Sequence, residues 1–245
     1  MSRLRDHWDF DLDGPMRLPA FVDAGDVPGD PLDGPGNTGR TAEAVTAILA
    51  RGAVPICIGG DDSVPIPILR AYDGRGPMTV VQVDAHLDYR DEVDGVREGY
   101  SSPMRRASEM PHVERIIHVG LRGVGSARAE DVEDSRAAGN LLVTARELQE
   151  RGVPWLLAQI PVTDAVFLAF DADGLDPSVL FAVSARAPGG IGFLEAVDLL
   201  SGLGGRLSGA AFTEYVPALD PDGVGALVIA RLVAMAIAAT RSPAH

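Results

Sequence analysis

Short, uninterrupted apolar runs separated by helical segments constrain the fold of this chain more than any other feature. MTVVQVD (78–84) and AVFLAFD (165–171) contain few polar residues before their final aspartate, and RIIHVGL (115–121) and LSGAAFTEY (207–215) are similar. Continuous apolar runs are typical of strands covered on both faces, whereas strands with one face in water alternate. The sequence therefore predicts an α/β fold, a three-layer α/β/α sandwich with a mainly parallel sheet.

Helical patterns lie between these runs. TAEAVTAILARG (41–52) and ARELQERG (145–152) end in glycine, and a long apolar-faced helix is predicted over residues 221–240. No linker or shift in composition divides the chain, so a single domain over residues 1–245 is expected. Its first 40 residues are rich in Asp, Gly and Pro and are predicted to form loops, with at most a short strand near Leu18–Val22.

Charge and composition exclude several classes of function. The formal net charge of −14 argues against binding nucleic acid or an anionic membrane surface, and is compatible with a small cationic substrate. The N-terminus lacks the apolar segment of a signal peptide, and no apolar run reaches the length of a membrane span, so a cytoplasmic location is expected. Cys57 is the single cysteine and is expected to be a buried thiol.

Acidic residues cluster where the apolar runs end. They are Asp61 and Asp62 after VPICIGG, Asp84, His86 and Asp88 after MTVVQV, Asp171 and Asp173 after AVFLAF, and Glu214 within GAAFTEY. The carboxyl ends of parallel strands meet at one edge of a sheet, where ligands bind. Carboxylates gathered there would repel one another, and one or two divalent cations would relieve that repulsion. Oxygen donors with one imidazole suit manganese or magnesium better than a thiolate zinc site.

Other interpretations apply to some of these residues. A single aspartate after a strand is more often a helix cap or turn former, which is the interpretation favoured for Asp61 and Asp176. The segment that begins at Asp171 superficially resembles an EF-hand loop, but its sixth position is Asp176 and its twelfth is Ala182, where Gly and Glu are required. Four histidines outside the clusters are expected to be structural or solvated: His7, His112, His118 and His245.

The ordered set of motifs resembles the ureohydrolase family, which includes arginase, agmatinase and formiminoglutamase. The motifs are GGDDS (59–63), DAHLD (84–88), FDADGLDP (170–177), PGG (188–190) and EYVP (214–217). The resemblance extends from about Val54 to the C-terminus and is closest to agmatinase. It implies an α/β/α sandwich with two manganese ions, nickel being the alternative, and a homo-oligomer that is a trimer or a hexamer.

The resemblance also implies roles for individual residues. Six positions match metal ligands of the family: Asp62, Asp84, His86, Asp88, Asp171 and Asp173. Of these, Asp84 and Asp171 would bridge the two ions, Asp62 and Asp88 would complete one site, and the remaining two the other. Glu214 would accept the substrate guanidinium, for which a carboxylate is the natural planar partner.

This sequence departs from the family pattern in three ways. Asp62 occupies the place of a histidine ligand, and Tyr100, three residues before Pro103, occupies that of the histidine that relays protons. An N-terminal strand–loop–helix unit expected before the first motif has no evident counterpart. The candidate catalytic residues are therefore Glu214, Tyr100 and Asp88, and a slow enzyme or an alkaline optimum is expected, because the unperturbed pKa of tyrosine is about 10.

The function predicted from the sequence is hydrolysis of a C–N bond in a linear guanidino compound, with release of urea and an amine. Agmatine, guanidinobutyrate, arginine and small alkylguanidines all remain candidate substrates. Two alternatives are a non-catalytic ureohydrolase-like subunit of a hetero-oligomer and a hydrolase of another amide that uses the same metals.

Overall fold

The computed structural model describes residues 7–125, 127–162 and 165–240. Their strands are β1 (Trp8–Asp9), β2 (Gly14–Pro15), β3 (Ile56–Ile58), β4 (Met78–Val83), β5 (Val113–Leu121), β6 (Leu141–Thr144), β7 (Ala165–Asp171) and β8 (Leu207–Thr213). Strands β3 to β8 form one sheet in the order β3-β8-β7-β4-β5-β6, and every neighbouring pair is parallel. Strands β1 and β2 form a small antiparallel ladder. The short strand considered near Leu18–Val22 is absent from the described residues.

Helices connect the strands of the large sheet. They are α1 (Gly34–Leu49), α2 (Pro65–Arg70), α3 (Pro103–Ser108), α4 (Ala129–Ala137), α5 (Ala145–Arg151), α6 (Val153–Leu157), α7 (Phe193–Gly202) and α8 (Val224–Ala238). Helices α3 and α6 are not predicted by the sequence patterns. Both are shorter than two turns and begin with a proline in the first turn, where its missing N–H costs nothing.

Two hydrophobic cores lie on opposite faces of the sheet. Along β4, Val81 and Val83 pack into the core that contains α7 and α8, whereas Val80 packs into the core that contains α1 and α2. Consecutive side chains of a strand point to opposite faces, so a strand buried on both faces must be mostly apolar. The continuous runs are therefore explained, and the predicted three-layer α/β/α sandwich with a parallel sheet is confirmed.

Strand β3 lies at one edge of the sheet and is only partly covered. Ile58 is 62% exposed, and Cys57 is half-buried rather than fully buried as expected. Burial nevertheless raises the pKa of the Cys57 thiol to about 11, so the thiol form persists at neutral pH. Among the described residues, no helix has the length and apolar character needed to cross a membrane.

Candidate metal centre

Four adjacent strands of the sheet, β3, β8, β7 and β4, bring the predicted site residues together. Strand β7 pairs with β4 on one side and β8 on the other, with Phe170 opposite both Val83 and Phe212. Asp171 ends β7, and its partner in β8 is Thr213. Acidic residues that follow these paired positions therefore emerge at the same edge of the sheet, as the parallel arrangement predicts.

The six predicted ligands form two groups with one shared member. Ligand atoms of Asp84, His86 and Asp173 all lie within 4.8 Å of one another. The second group meets the same criterion and consists of Asp62, Asp84, Asp88 and Asp171. Asp84 alone belongs to both groups, which is the geometry expected of a bridging ligand. Asp171 belongs to the second group only, and its bridging role stays a prediction.

Burial makes this collection of carboxyl groups electrostatically unfavourable without a cation. Asp62, Asp84, Asp171 and Asp173 are each no more than 3% exposed. Loss of hydration raises the pKa of Asp84 to about 6. Loss of hydration, followed by the neighbouring charge of Asp84, also raises the pKa values of Asp171 and Asp88 well above their ordinary range. Divalent cations would replace the protons that these groups otherwise retain.

The neighbouring carboxylates stabilise the charged form of His86. Its Nδ1 lies 3.2 Å from Oδ2 of Asp173 and 3.3 Å from Oδ1 of Asp84. Hydrogen bonds to Asp173 and then to Asp84 raise the pKa of the imidazole to about 10. In the metal-free protein the imidazolium thus compensates part of the negative charge. A metal ion must displace that proton, because only neutral imidazole is a ligand.

One buried oxygen indicates directly that the residues fit a cation. Oδ1 of Asp62 accepts a hydrogen bond from the Thr213 hydroxyl at 2.6 Å. Oδ2 is buried and, when the neighbouring Asp88 is also ionised, has no hydrogen-bond partner in the described part of the chain. A buried carboxylate oxygen without a donor is costly, by about 1–3 kcal/mol or more. A metal ion at the second ligand group would supply the missing partner, and the carboxylate-rich donor set suits Mn²⁺ or Mg²⁺.

Local turns hold several ligands in place. The backbone N–H of His86 donates to Oδ1 of Asp84 at 2.6 Å, and that of Asp173 donates to Oδ1 of Asp171 at 2.7 Å. Gly174 is needed for close packing, because a Cβ atom there would lie 2.8 Å from the backbone nitrogen of Asp84. The sequence DADG at the end of β7 therefore contains two predicted ligands, Asp171 and Asp173. Its glycine allows this segment to pack against the backbone of Asp84.

Two of the predicted site residues have unusual backbone conformations. Asp88 has φ of 47° and Glu214 has φ of 61°, in the left-handed region that non-glycine residues rarely adopt. Such conformations cost about 1–3 kcal/mol and concentrate at functional sites. Oε1 of Glu214 accepts a hydrogen bond from the backbone N–H of Asp62 at 3.0 Å, so this carboxylate lies directly beside the second ligand group.

Arg122, which the sequence alone does not single out, fixes the loop that carries Asp173. Its guanidinium donates five hydrogen bonds, all to backbone carbonyls: Gly120, Asp173, Gly174, Leu175 and Ala187, at 2.6–3.1 Å. Arg122 directly follows β5 and is half-buried. Its position after a strand is the one sequence signal that it shares with the acidic residues.

Tyr100 lies in the loop that begins at Asp88. The loop is closed by hydrogen bonds from Met104 N to Asp88 O at 3.1 Å and from Arg90 N to Ser101 O at 3.0 Å. The Tyr100 side chain is 61% exposed and makes no hydrogen bond to any described residue. Its role as a proton carrier stays a prediction.

The residues expected to be structural behave as expected. Asp61 accepts hydrogen bonds from the backbone and hydroxyl of Ser63, and Asp176 accepts them from Ser178, Gly189 and Gly190, so both are turn formers. His7 is exposed, and two histidines are buried outside the ligand groups, namely His112 and His118. His245 lies outside the described residues.

Comparison with known proteins identifies the family. A sequence profile described as the arginase family matches residues 1–239. The chain belongs to the arginase family. It is 33% identical over 193 residues to a guanidinobutyrase of Pseudomonas aeruginosa, covering 76% of this chain and 60% of that protein. It is 31% identical over 226 residues to a guanidinopropionase of the same organism, covering 89% of this chain and 71% of the relative.

The fold comparison agrees with the sequence comparison. The structure of a proclavaminate amidino hydrolase from Streptomyces clavuligerus superimposes with a TM-score of 0.80 at 26% identity, covering 88% of this chain and 73% of that one. In the sequence comparison, the chain spans about 60% of the length of the guanidinobutyrase that it matches. The expected lack of an N-terminal strand–loop–helix unit stays a prediction.

Proposed function

We propose that this protein is a metal-dependent hydrolase that cleaves a C–N bond of a linear guanidino compound and releases urea and an amine, as an agmatinase does. The observation that carries the proposal is the pair of ligand groups that share Asp84, with the Glu214 carboxylate beside them. Membership of the arginase family supports the reaction class.

Two divalent ions, manganese or alternatively nickel, would be held by the six residues of the two ligand groups. Two ions close together supply an activated water at neutral pH and stabilise charge on the reacting centre. Asp84 would fix their separation by bridging, and Asp171 is proposed as the second bridge. The imidazole of His86 would lose its proton on loading, which would leave a neutral ring able to bind an ion.

Glu214 is proposed to accept the guanidinium of the substrate. Its backbone conformation and its hydrogen bond from the Asp62 N–H fix the carboxylate at the rim of the second ligand group. A planar carboxylate can accept two parallel N–H donors from a guanidinium, which orients the central carbon towards the metal site. Asp88 and Tyr100 are proposed to move the proton that the departing amine requires.

The acidic character of the site favours a substrate with a cationic tail over one with an anionic tail. Five carboxylates of the ligand groups are joined by Glu214 and by the exposed Asp61, so a carboxylate tail would meet like charge. The proposal also includes a homo-oligomer, as a trimer or a hexamer, or a hetero-oligomer with an active partner. It further includes a single domain over residues 1–245 and a cytoplasmic location.

The test is urea release from a panel of guanidino compounds with manganese, nickel or no added metal. We expect metal-dependent urea from agmatine or another cationic guanidine, and less from guanidinobutyrate. Asp62→Asn removes a charged ligand at a buried position and should abolish turnover. Asp61→Asn changes the exposed neighbour by the same single atom and should retain turnover.

Metal binding without urea release from any guanidine would support the non-catalytic subunit, and release of acetate from acetylated amines would support a different amide hydrolase.

A further inference from the structure

A chain of hydrogen bonds, buried from Ser135 inwards, runs from the turn after α4 to the shared ligand Asp84. Nε2 of Gln82 lies 2.7 Å from Oδ2 of Asp84, and Oε1 of Gln82 lies 2.5 Å from Nδ1 of His118. Nε2 of His118 lies 3.2 Å from the Ser135 hydroxyl, which also lies 3.2 Å from Nδ2 of Asn140. The chain therefore connects β4, β5, α4 and the turn after α4.

Chemistry fixes the direction of every bond in this chain. The Asp84 carboxylate can only accept when ionised, so Gln82 must present its amide N–H₂ to Asp84 and its carbonyl oxygen to His118. His118 must then carry its proton on Nδ1, which leaves Nε2 to accept from the Ser135 hydroxyl. The Ser135 oxygen accepts in turn from Asn140, whose carbonyl accepts from the backbone N–H of Ile116 at 3.0 Å. All five donors point towards Asp84.

We propose that Gln82, His118 and Ser135 are positioning residues that hold the shared ligand Asp84 in the orientation needed to bind both metal ions. The inference rests on the metal site of the proposed function. With Oδ2 held by Gln82 and Oδ1 held by the His86 N–H, rotation of the carboxylate would break one bond or the other. Donors aligned in one direction polarise one another, which strengthens the bond that reaches Asp84.

The burial of the chain suits it to this role. Gln82, His118 and Ser135 are each at most 1% exposed, so water cannot replace a missing member. Burial lowers the pKa of His118 to about 3, which keeps the ring neutral and its single proton available to Gln82. Gln82 and His118 face each other across the β4–β5 ladder, so their contact follows from strand register. Hydrogen-bonding partners of metal ligands typically change metal affinity by about 10–100-fold when removed.

The first test measures divalent-ion binding by calorimetry rather than activity. Gln82→Met keeps the side-chain length and removes the donor to Asp84, and we expect Mn²⁺ affinity to fall by about 10-fold or more at both sites. Tyr72→Phe is the matched control, because it removes a part-buried hydrogen bond of the same length, to Ser208 O at 2.7 Å. Ser208 lies near the amino end of β8, whereas the ligand groups lie at the carboxyl ends of the strands. That control should lower thermal stability and leave Mn²⁺ affinity unchanged.

A double variant separates positioning from simple loss of a buried hydrogen bond. Gln82→Met leaves the His118 Nδ1–H without a partner, whereas Gln82→Met/His118→Leu removes both of these polar groups, a paired replacement that is close to neutral for stability. The Ser135 hydroxyl, which loses its acceptor on His118, can donate to a carbonyl of its own helix instead. We expect the double variant to regain stability and to keep the weakened Mn²⁺ affinity. Recovery of affinity together with stability would overturn the inference, and so would unchanged affinity in Gln82→Met.

A spectroscopic measurement on the wild-type protein tests the direction of the chain and needs no variant. Nitrogen-15 shifts of His118, in the metal-free and Mg²⁺-loaded protein, should show a neutral ring protonated at Nδ1. Protonation at Nε2 would overturn the inference.

If Gln82→Met does not fold, Ser135→Ala interrupts the hydrogen-bond chain farther from Asp84 and should also weaken Mn²⁺ binding. An affinity equal to that of the wild-type protein would count against the inference. Failure of wild-type protein to bind any divalent ion would instead refute the proposed function.

Discussion

Replacing Arg122 with lysine should destabilise the protein and weaken its metal site although the positive charge is kept. The five carbonyls that Arg122 contacts belong to the end of β5 and to the loops after β7. Lysine has three N–H donors on one nitrogen, whereas the guanidinium offers five in a fixed plane. At least two of the five carbonyls must therefore lose their donor.

The expected magnitude follows from these two lost bonds. A hydrogen bond from a charged group contributes about 1.5–3 kcal/mol, so two of them amount to about 3 kcal/mol at the lower limit. The lower limit applies because Arg122 is half-buried and water can reach part of the space. For a chain of this size, about 3 kcal/mol corresponds to a decrease in Tm of about 6–12 °C. Asp173 and Gly174 lie in the clamped loop, so divalent-ion affinity should fall by about 10-fold as well.

The assays are thermal unfolding followed by circular dichroism and Mn²⁺ titration by calorimetry. Arg128→Lys is the matched control, since Arg128 is exposed and, among the described residues, its guanidinium contacts Glu130 alone, at 3.5 Å. That control should shift Tm by less than about 2 °C, as surface substitutions usually do. An Arg122→Lys protein with the Tm and Mn²⁺ affinity of the control would refute the clamp.

Three further predictions concern the ligand groups. Asp171→Ala should remove one ligand of the second group, lower the bound Mn²⁺ measured by atomic absorption and abolish urea release; near-normal urea production would contradict the two-metal site. Gly174→Ala should weaken Mn²⁺ binding measured by calorimetry, because the new Cβ would lie 2.8 Å from Asp84 N; an unchanged affinity would contradict this. In the metal-free protein, the pKa values of Asp84 and His86 are raised to about 6 and about 10, so the folded state binds more protons than the unfolded state between the ordinary and raised values. The free energy of unfolding should therefore fall as pH rises from about 4 to about 10, and thermal unfolding in EDTA that shows stability rising over this range would contradict the assignment.

Sequence patterns predict the sheet well, for a physical reason. A strand buried on both faces must be mostly apolar, so β4 and β7 are visible as predominantly apolar runs. Helices α3 and α6 are not visible in this way, because six and five residues are too few to show a helical period. The short strand considered near Leu18–Val22 fails because Val22 is 88% exposed and no neighbouring strand is available to pair with it in the described residues.

The grouping of the candidate ligand residues is predictable because sheet topology gathers them. Each follows or ends a strand, and parallel strands end at a common edge. The residues that support the ligands are not predictable in the same way. Gln82 and His118 meet only because β4 lies beside β5 in one particular register, and Arg122 reaches the loop after β7 across the edge of the sheet. Strand order and register are properties of the folded chain that a single sequence does not reveal.

The contrast between Asp62 and Asp61 shows how a binding site differs from an acidic cluster. Asp61 is exposed, and its Oδ1 is satisfied by the backbone and hydroxyl of Ser63. Asp62, the next residue, is buried, keeps one oxygen without a partner and has a pKa raised first by lost hydration and then by the charge of Asp84. Three features that cost free energy in the metal-free protein meet at this edge of the sheet: the raised pKa of Asp62, its unpartnered oxygen, and the strained backbone of Glu214. Bound cations would stabilise the ionised Asp62 carboxylate and supply a partner for its second oxygen. The strained backbone of Glu214 would place its carboxylate to bind a guanidinium. The arrangement is therefore better explained by a pair of metal ions and a cationic substrate than by the requirements of folding.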